Sequence, residues 1–306
     1  MPEVVIAIPT FRRPQGLEKL LRALEKLETT AIVSVVVGDN DADRHEGFDV
    51  CQRLKASYRW PLDPMIVSAR GIAQNRNALT ERALQNPRME FIAMLDDDEW
   101  PESGWLDALL AVQKQTGADA VAGAVLREFE SRPSRLAAHC EELAPVRGTT
   151  GPAPEVDSTA NVLVHRSCFD GGRRFDPEFA LTGGEDRDFF TRLARDGKRF
   201  AWSDDAIVHA YVPVSRASFS WCMTRAYRVG NSDMRVMLKY GLSPLQRLRE
   251  IGKIVAAVIT APIAFLLLLV GAAPSANAVR RLFRAAGKIA AFFGRHYNEY
   301  AVVHGK

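Results

Sequence analysis

Short runs of apolar residues alternate with helical periods along the first 126 residues of the 306-residue chain. The apolar runs predict strands at 4–8, 33–37, 65–68, 91–95 and 120–126, and the patterns between them predict helices at 14–27, 74–84 and 103–115. The first two runs are rich in β-branched residues and do not alternate with polar ones, as in strands that are buried on both faces. This alternation indicates an α/β fold with a mostly parallel sheet and helices on both faces. Ligands of such sheets bind at the carboxyl ends of the strands.

The formal net charge of +3 is the sum of two regions of opposite charge. Residues 241–306 carry nine basic and two acidic side chains (+7), which leaves 31 basic and 35 acidic side chains (−4) in residues 1–240. We therefore expect a folded domain at 1–240 and a basic, strongly apolar region at 241–306. The four cysteines lie far apart without a CxxC pair, which predicts free thiols in a reducing cytoplasm. Residues 1–10 predict a strand and not a signal peptide.

Three consecutive carboxylates, Asp96, Asp97 and Asp98, follow the predicted strand at 91–95. Carboxylates this close repel one another, and burial at the end of an apolar strand adds a desolvation cost. A divalent cation with phosphate oxygens relieves both costs, because Mg²⁺ and Mn²⁺ prefer oxygen ligands. A solvated acidic turn is the alternative. Asp39 ends another strand, where it is placed to accept hydrogen bonds from a ligand.

The segment 68–77 joins a predicted strand to a predicted helix. It offers the guanidiniums of Arg70 and Arg76 and the amides of Asn75 and Asn77 at a helix N-terminus, a setting suited to phosphate or sugar hydroxyls. A plain surface role for Arg76 is the alternative.

A glycine pair, Gly183 and Gly184, precedes the acids Glu185 and Asp186 at the start of another predicted helix. Glycines let a second molecule approach the backbone, and one carboxylate is then free to face a cavity as a general base. Acids in a first helical turn also interact favourably with the helix dipole, so a simple capping role is the alternative.

Together these clusters resemble the family 2 glycosyltransferases of the Rossmann-like GT-A fold. The matching segments are 8–14, 38–40, 71–77, 96–98 and 184–188, with 161–175 as the segment that usually precedes the last motif. Each motif alone is loose, but five in this order and spacing are hard to obtain by chance. The resemblance covers about residues 3–240. The stretch 209–230 supports the non-processive enzymes of bacterial exopolysaccharide assembly, including succinoglycan-type glucosyltransferases.

The resemblance implies that a nucleotide-sugar donor binds to the first clusters. Thr10, Arg12 and Asp39 would contact the nucleotide, with Asp39 on the uracil. Arg76 and Asn77 would line the same pocket.

The remaining acidic residues receive roles in the transfer step. The resemblance implies that Asp96 holds the ribose or the sugar and that Asp98 binds the Mn²⁺ or Mg²⁺ that bridges the diphosphate. Asp186 would be the general base for the acceptor hydroxyl, and Glu185 would help to orient the acceptor. His209 matches a position that can contact the metal or the diphosphate; a histidine satisfied by ordinary contacts is the alternative.

The implied reaction is inverting, metal-dependent transfer of a sugar, glucose by analogy with the subgroup, from a UDP-sugar to a lipid-linked oligosaccharide in exopolysaccharide or cell-surface glycan synthesis. A cation stabilises the charge that builds on the leaving diphosphate. The QxxRW motif of processive members does not occur in the sequence, so we predict one sugar per encounter. The alternatives are transfer directly to a lipid or polyprenyl phosphate, and a catalytically silent nucleotide-sugar-binding scaffold of the assembly complex.

Residues 254–273 are twenty consecutive uncharged residues, about 30 Å long as a helix and enough to span a bilayer. Pro262 lies within the run and basic residues flank both ends, so a kinked hairpin that dips into the membrane is an alternative. A soluble helical subdomain and a dimer interface are the further alternatives.

The next segment carries an apolar stripe from Val279 to Phe293 and a basic set on the opposite side. This pattern predicts an in-plane helix that is attracted to anionic lipid. The basic set comprises Arg280, Arg281, Arg284 and Lys288. We therefore expect the protein at the cytoplasmic face of the inner membrane, with a lipid-linked acceptor and no nucleic acid as partner.

Overall fold

The computed structural model describes residues 1–297 and confirms the α/β fold, with one nine-stranded sheet. The strands are β1 (Glu3–Thr10), β2 (Ile32–Asp39), β3 (Leu62–Ile66), β4 (Phe91–Met94), β5 (Glu99–Pro101), β6 (Ala120–Phe129), β7 (Gly151–Ala153), β8 (Val162–His165) and β9 (Phe200–Val212). The helices are α1 (Pro14–Leu24), α2 (Glu46–Leu54), α3 (Ile72–Leu84), α4 (Trp105–Thr116), α5 (Glu185–Arg195), α6 (Phe219–Tyr240), α7 (Pro244–Leu269) and α8 (Ala276–Phe292). The strand order is β3-β2-β1-β4-β8-β6-β9-β5, and β7 pairs with β9.

The first half of the sheet, β3-β2-β1-β4, is parallel and apolar on both faces. Ile6 of β1 belongs to the same buried cluster as Leu20 of α1, whereas the neighbouring Val5 belongs to the cluster that contains Leu79 of α3. Helices therefore cover both faces, as predicted. Because the strands run the same way, β1, β2 and β4 end at one edge of the sheet, where polar residues follow each of them.

The third strand begins three residues and ends two residues before the predicted 65–68. Leu62 pairs with Val35 in β2, and the strand ends at Ile66. The chain then leaves the sheet because the Asn40 side chain donates hydrogen bonds to the carbonyl oxygens of Val67 and Ala69, both at 2.8 Å. A side chain distant in sequence sets this boundary, so local periodicity could not predict it.

The second half of the sheet is mixed and not mostly parallel. β6 pairs with β9 in parallel, but β8 runs antiparallel to both β4 and β6, and β5 and β7 run antiparallel to β9. Asn161 holds the bulge between β6 and β9, since its amide donates to the carbonyl oxygens of Ala124 at 2.8 Å and Ala206 at 2.7 Å. The antiparallel β8 follows a long connection after β6, which contains the short strand β7.

The last three helices pack together beside the sheet. α6 and α8 are in direct backbone contact at Gly230 and Gly287: a Cβ on Gly287 would collide with the Tyr227 carbonyl oxygen. The domain boundary expected at 240/241 would therefore place α6 in one unit and α8, which packs closely on α6, in the other.

Helix α7 buries only a narrow stripe, which contains Ala257, Ala261 and Ala264. The helix is long and apolar enough to cross a membrane, and 17% of its most apolar window is buried. It continues through Pro262.

Two of the four basic residues that the sequence assigns to a lipid-facing set on α8 are turned into the protein, whereas Arg281 is exposed. Arg280 and Lys288 are buried, with side chains 6% and 8% exposed. Arg280 pairs with Glu141 and Glu142, and Lys288 pairs with Glu250. Burial of a cation is costly unless an anion accompanies it, so these residues bind α8 to the rest of the protein and are not available to lipid.

Candidate active site

A cavity of about 590 Å³ lies at the carboxyl ends of the parallel strands. The ends of β1 and β4, the start of α3 and the start of α5 supply its walls, and α6 closes another side. The loop after β6 contributes Glu142, Leu143 and Val146. All five of the matching segments therefore meet here: 8–14, 38–40, 71–77, 96–98 and 184–188.

Asp97 is the structural centre of the acidic cluster. The Thr10 hydroxyl donates to its Oδ2 at 2.8 Å, the Phe11 backbone N–H donates to the same oxygen at 3.3 Å, and Arg13 Nη1 lies 2.9 Å from Oδ1. Burial raises the pKa of Asp97 to about 6. This carboxylate holds the turn after β1 in place, a role that the sequence did not reveal.

Asp98 lies on the cavity wall between two guanidiniums. Its Oδ2 accepts from Arg13 Nη1 at 2.9 Å and from Arg216 Nη1 at 3.0 Å, and the side chain is 20% exposed. A hard carboxylate donor next to cations that can bind phosphate fits a divalent ion with a diphosphate.

Arg76 joins two of the acidic motifs. Its Nη2 lies 3.1 Å from Asp96 Oδ1, and its Nη1 forms an ion pair with Glu185. The Arg76 side chain is 8% exposed, and that of Glu185 is 3% exposed. A guanidinium buried this deeply requires both carboxylates. It therefore fixes the segment after β4 against the start of α5.

The two acids at the start of α5 differ in their surroundings. Burial raises the pKa of Glu185 to about 7, although Arg76 opposes this shift. Burial also raises the pKa of Asp186, which lines the cavity and accepts a hydrogen bond from the Arg187 backbone N–H at 2.8 Å. A carboxylate with a raised pKa that faces a cavity is suited to accept a proton.

A set of arginines lines the cavity and was not predicted from the sequence. Burial lowers the pKa of Arg127 and of Arg216, so both are poorly solvated cations. Nε of Arg127 has no hydrogen-bond partner within residues 1–297. The other members are Arg13, Arg225 and Arg228. Such a set can stabilise polyanionic ligands. The sequence assigned no role to these residues, because they are scattered along the chain and only the fold brings them together.

Three residues predicted to contact the nucleotide lie outside the cavity wall. Arg12 Nε lies 2.7 Å from Asp41 Oδ2. Asp39 is 1% exposed and accepts backbone N–H groups from Asp41 and Phe48, at 3.0 and 2.9 Å. Asn77 exchanges two 2.8 Å hydrogen bonds with the backbone of Phe175. In this structure each of the three holds a neighbouring loop.

His209 also lies away from the cavity. It stacks on Trp100 with ring centroids 5.7 Å apart, and its Nδ1 and Nε2 lie 2.8 Å from Glu128 and 3.2 Å from Glu102. The next residue in β9, Ala210, lines the cavity. Tyr211 also lines the cavity, whereas the ring nitrogens of His209 are engaged by two glutamates that do not line it. The ordinary contacts considered as the alternative are the ones observed.

Comparison with known proteins agrees with this geometry. Residues 5–165 match the family model described as Glycosyl transferase family 2. The chain is 32% identical over 237 residues to the succinoglycan biosynthesis protein ExoM of Rhizobium meliloti (strain 1021). The aligned region covers 76% of this chain and 74% of ExoM.

Two solved structures share the fold at low sequence identity. The mannosyltransferase PcManGT from Pyrobaculum calidifontis, in complex with GDP-Man and Mn²⁺, has a TM-score of 0.65 at 16% identity and covers 96% of this chain and 88% of its own. S. aureus TarS 1–349 in complex with UDP has a TM-score of 0.54 at 16% identity, with coverage of 97% and 93%. The fold, the motifs and the matched family model agree, and the chain is a glycosyltransferase that belongs to glycosyl transferase family 2.

Proposed function

We propose that this glycosyltransferase is inverting, metal-dependent and non-processive, and that it transfers glucose from UDP-glucose to a lipid-linked oligosaccharide. The similarity to a succinoglycan biosynthesis protein supports an acceptor in exopolysaccharide synthesis. Solved structures of the same fold bind UDP, UDP-GlcNAc or GDP-Man, which supports a nucleotide-sugar donor.

The observation that carries the proposal is the double ion pair of Arg76. It holds Asp96, on the donor side in our assignment, against Glu185, on the acceptor side. A transfer reaction needs the donor sugar and the acceptor hydroxyl held in contact, and orientation of this kind accounts for much of an enzyme's rate enhancement. The two motifs are 89 residues apart in sequence, and one buried side chain brings them to the same cavity.

Asp98 is the proposed ligand of the Mn²⁺ or Mg²⁺ ion. When bound, the cation stabilises the negative charge that develops on the leaving diphosphate. Arg13 and Arg216, which contact Asp98 here, are placed to bind phosphate oxygens at the same position. His209 would have to exchange its contacts with Glu102 and Glu128 to join Asp98.

Asp186 is the proposed general base. The acceptor hydroxyl oxygen attacks the anomeric carbon, the bond from that carbon to the diphosphate oxygen breaks, and the hydroxyl proton passes to the Asp186 carboxylate. One displacement from the opposite face inverts the anomeric centre. The raised pKa of Asp186 strengthens it as a base. Glu185, held by Arg76, would orient the acceptor.

The remaining donor contacts are proposed from the resemblance and from the fold. Thr10 and Asp96 reach the cavity, where they would contact the nucleotide sugar. Arg12 and Asp39 would act on the nucleotide indirectly, because both contact Asp41 and so hold the turn after β2. Asn77 would act through the backbone of Phe175.

Helix α7 is the proposed membrane contact, at the cytoplasmic face of the inner membrane. Large apolar side chains on α7 are open to solvent over its whole length, which is costly in water and favourable in lipid. They include Leu245, Leu248, Ile259, Ile263, Leu266 and Leu269. This location would bring the enzyme to an acceptor that is confined to the bilayer.

A donor screen tests the proposal. The full-length protein in detergent is incubated with UDP-sugars and a lipid-linked oligosaccharide extract, with Mn²⁺ or with a chelator. We expect UDP release that requires the cation and the extract and is fastest with UDP-glucose, and NMR of the product should show the inverted anomer. Release that continues in the chelator would contradict metal dependence. Transfer to purified polyprenyl phosphate would favour the direct lipid acceptor.

A further inference from the structure

Two buried cysteines and a glutamate meet beside the cavity, and the glutamate, Glu142, lines it. Potential ligand atoms of Cys140, Glu142 and Cys222 all lie within 4.8 Å of one another. Cys140 lies between two short 3₁₀ turns of the loop after β6, Ala137–His139 and Glu141–Leu143. Glu142 lies in the second turn, and Cys222 lies in the first turn of α6. None of the three belongs to the acidic motifs assigned to the transfer step.

Glu142 has an oxygen that lacks a partner. Its side chain is 7% exposed, and its Oε1 accepts from Arg280 Nη1 at 2.9 Å. Its Oε2 is buried and accepts no hydrogen bond from any residue within 1–297. A buried carboxylate oxygen without a partner is unfavourable, so this atom needs a further ligand.

We propose that Cys140, Cys222 and Glu142 bind a thiophilic divalent cation, Zn²⁺, at a site separate from Asp98. Sulfur ligands select Zn²⁺ over Mg²⁺ and Mn²⁺, and a carboxylate is also an ordinary zinc ligand. Three protein ligands leave one position of a tetrahedral ion for a water molecule.

The charges around the three ligands favour the metal-bound state. Two thiolates and one carboxylate carry three negative charges, and Zn²⁺ balances two of them. Arg280, which also pairs with Glu141, lies against the carboxylate of Glu142. Arg225 adds positive charge near Cys222.

The ion would connect the loop after β6 to α6. Both segments also form the cavity wall, through Leu143 on the loop and through Trp221 and Arg225 on either side of Cys222. The surrounding apolar cluster includes Ala137 and Leu143 of the loop and Met223 of α6. A structural cation there would add a direct link between the two segments.

Co²⁺ binding tests the site without depending on transfer activity. The full-length protein, reduced and in detergent with excess Mg²⁺ to occupy carboxylate sites, is titrated with Co²⁺ and then with Zn²⁺. We expect a thiolate-to-cobalt absorption band at one equivalent that Zn²⁺ abolishes, and a higher Tm with Zn²⁺. Cys222→Ser should lose the band, and Glu142→Gln should weaken Co²⁺ binding at least about tenfold.

Cys168→Ser is the matched control, because Cys168 is equally buried and its thiol donates to the Asp119 carbonyl oxygen at 3.5 Å. It should keep the band. Folded wild-type protein without a band, or a band that survives Cys222→Ser, would overturn the proposal. A Cys140–Cys222 disulfide found by mass spectrometry in the reduced preparation would also overturn it. If Cys222→Ser does not fold, the Co²⁺ titrations of the wild type and of Glu142→Gln still test the proposed site.

Discussion

Arg216 Nη1 lies 3.0 Å from Asp98 Oδ2. The turn before α6 thus places a guanidinium on the carboxylate that is proposed to bind the metal. Arg13 contacts the same oxygen from the other side of the cavity. Without a diphosphate these two cations compete with a metal ion for Asp98, and with a diphosphate bound they gain a second anionic partner.

Replacement of Arg216 should therefore strengthen metal binding in the absence of donor. Loss of one competing cation in Arg216→Gln should tighten Mn²⁺ binding about three- to tenfold. Electron paramagnetic resonance of free Mn²⁺ measures this directly. Arg88→Gln, which removes an 83% exposed guanidinium, is the control and should have no effect. Unchanged or weaker Mn²⁺ binding by Arg216→Gln would show that the two cations do not compete.

The buried ion pair of Arg76 should matter more to stability than an exposed pair on the same helix. Arg76→Gln leaves the buried Glu185 without its cation and should lower the free energy of unfolding by about 3 kcal/mol. Arg82→Gln removes the exposed pair with Asp63 and should cost less than about 1 kcal/mol. Urea unfolding in detergent compares the two. Equal losses would argue against Arg76 as the link between motifs.

The sequence predicted the acidic clusters because each follows a strand or begins a helix. The meeting of Asp96 with Glu185 was implied by the resemblance, but the contact through Arg76 depends on tertiary packing. His209 illustrates the opposite outcome: its partners Glu102 and Glu128 come from other segments, so its orientation could not be predicted from β9 alone.

The C-terminal region shows a second limit of sequence patterns. Basic residues near an apolar segment are typical of a lipid-binding helix, and the sequence does not show that they have acidic partners elsewhere. Arg280 pairs with Glu142, 138 residues away, and Lys288 pairs with Glu250 on α7. The apolar face of α7 remains the candidate for lipid contact, whereas Arg280 and Lys288 of α8 are held by acidic partners.

The rate of transfer should depend on pH through the acids at the start of α5. Asp186 must be ionised to accept a proton, and burial raises its pKa, so kcat/KM should fall as the pH decreases through that raised value. The neighbouring Glu185 has a pKa raised to about 7 and should shift the acidic limb of the pH–rate profile to higher pH. We expect the midpoint to lie above the pKa of an exposed aspartate. Circular dichroism confirms folding at each pH; activity that stays constant down to the pKa of an exposed aspartate would contradict this prediction.

Charges on the exposed face of α7 should release the protein from membranes. Ile259 and Ile263 are 67% and 63% exposed, and Ile259→Glu/Ile263→Glu should reduce binding to anionic vesicles at least about tenfold, since apolar area no longer enters the lipid. Co-sedimentation measures the bound fraction. Ile32→Glu, at a 49% exposed position on β2, should bind like the wild type. If the double variant binds like the wild type, α7 is not the contact.

The close approach of α6 and α8 should tolerate no side chain at Gly287. In Gly287→Ala the new Cβ would collide with the Tyr227 carbonyl oxygen, and the variant should be destabilised by about 1–3 kcal/mol. Gly252→Ala on α7 meets no atom within 4 Å and should be stabilised by about 0.5–1 kcal/mol. Thermal unfolding compares the pair. A harmless Gly287→Ala would contradict the observed packing.

Asp186→Asn tests most directly whether Asp186 acts as the general base and does not merely bind donor or metal. UDP release with donor, acceptor extract and Mn²⁺ is measured on the same sample as UDP and Mn²⁺ affinity. We predict that release falls by about 10²–10⁴-fold while both affinities stay within about threefold of the wild type. Wild-type release from Asp186→Asn with intact binding would contradict the assignment of the base.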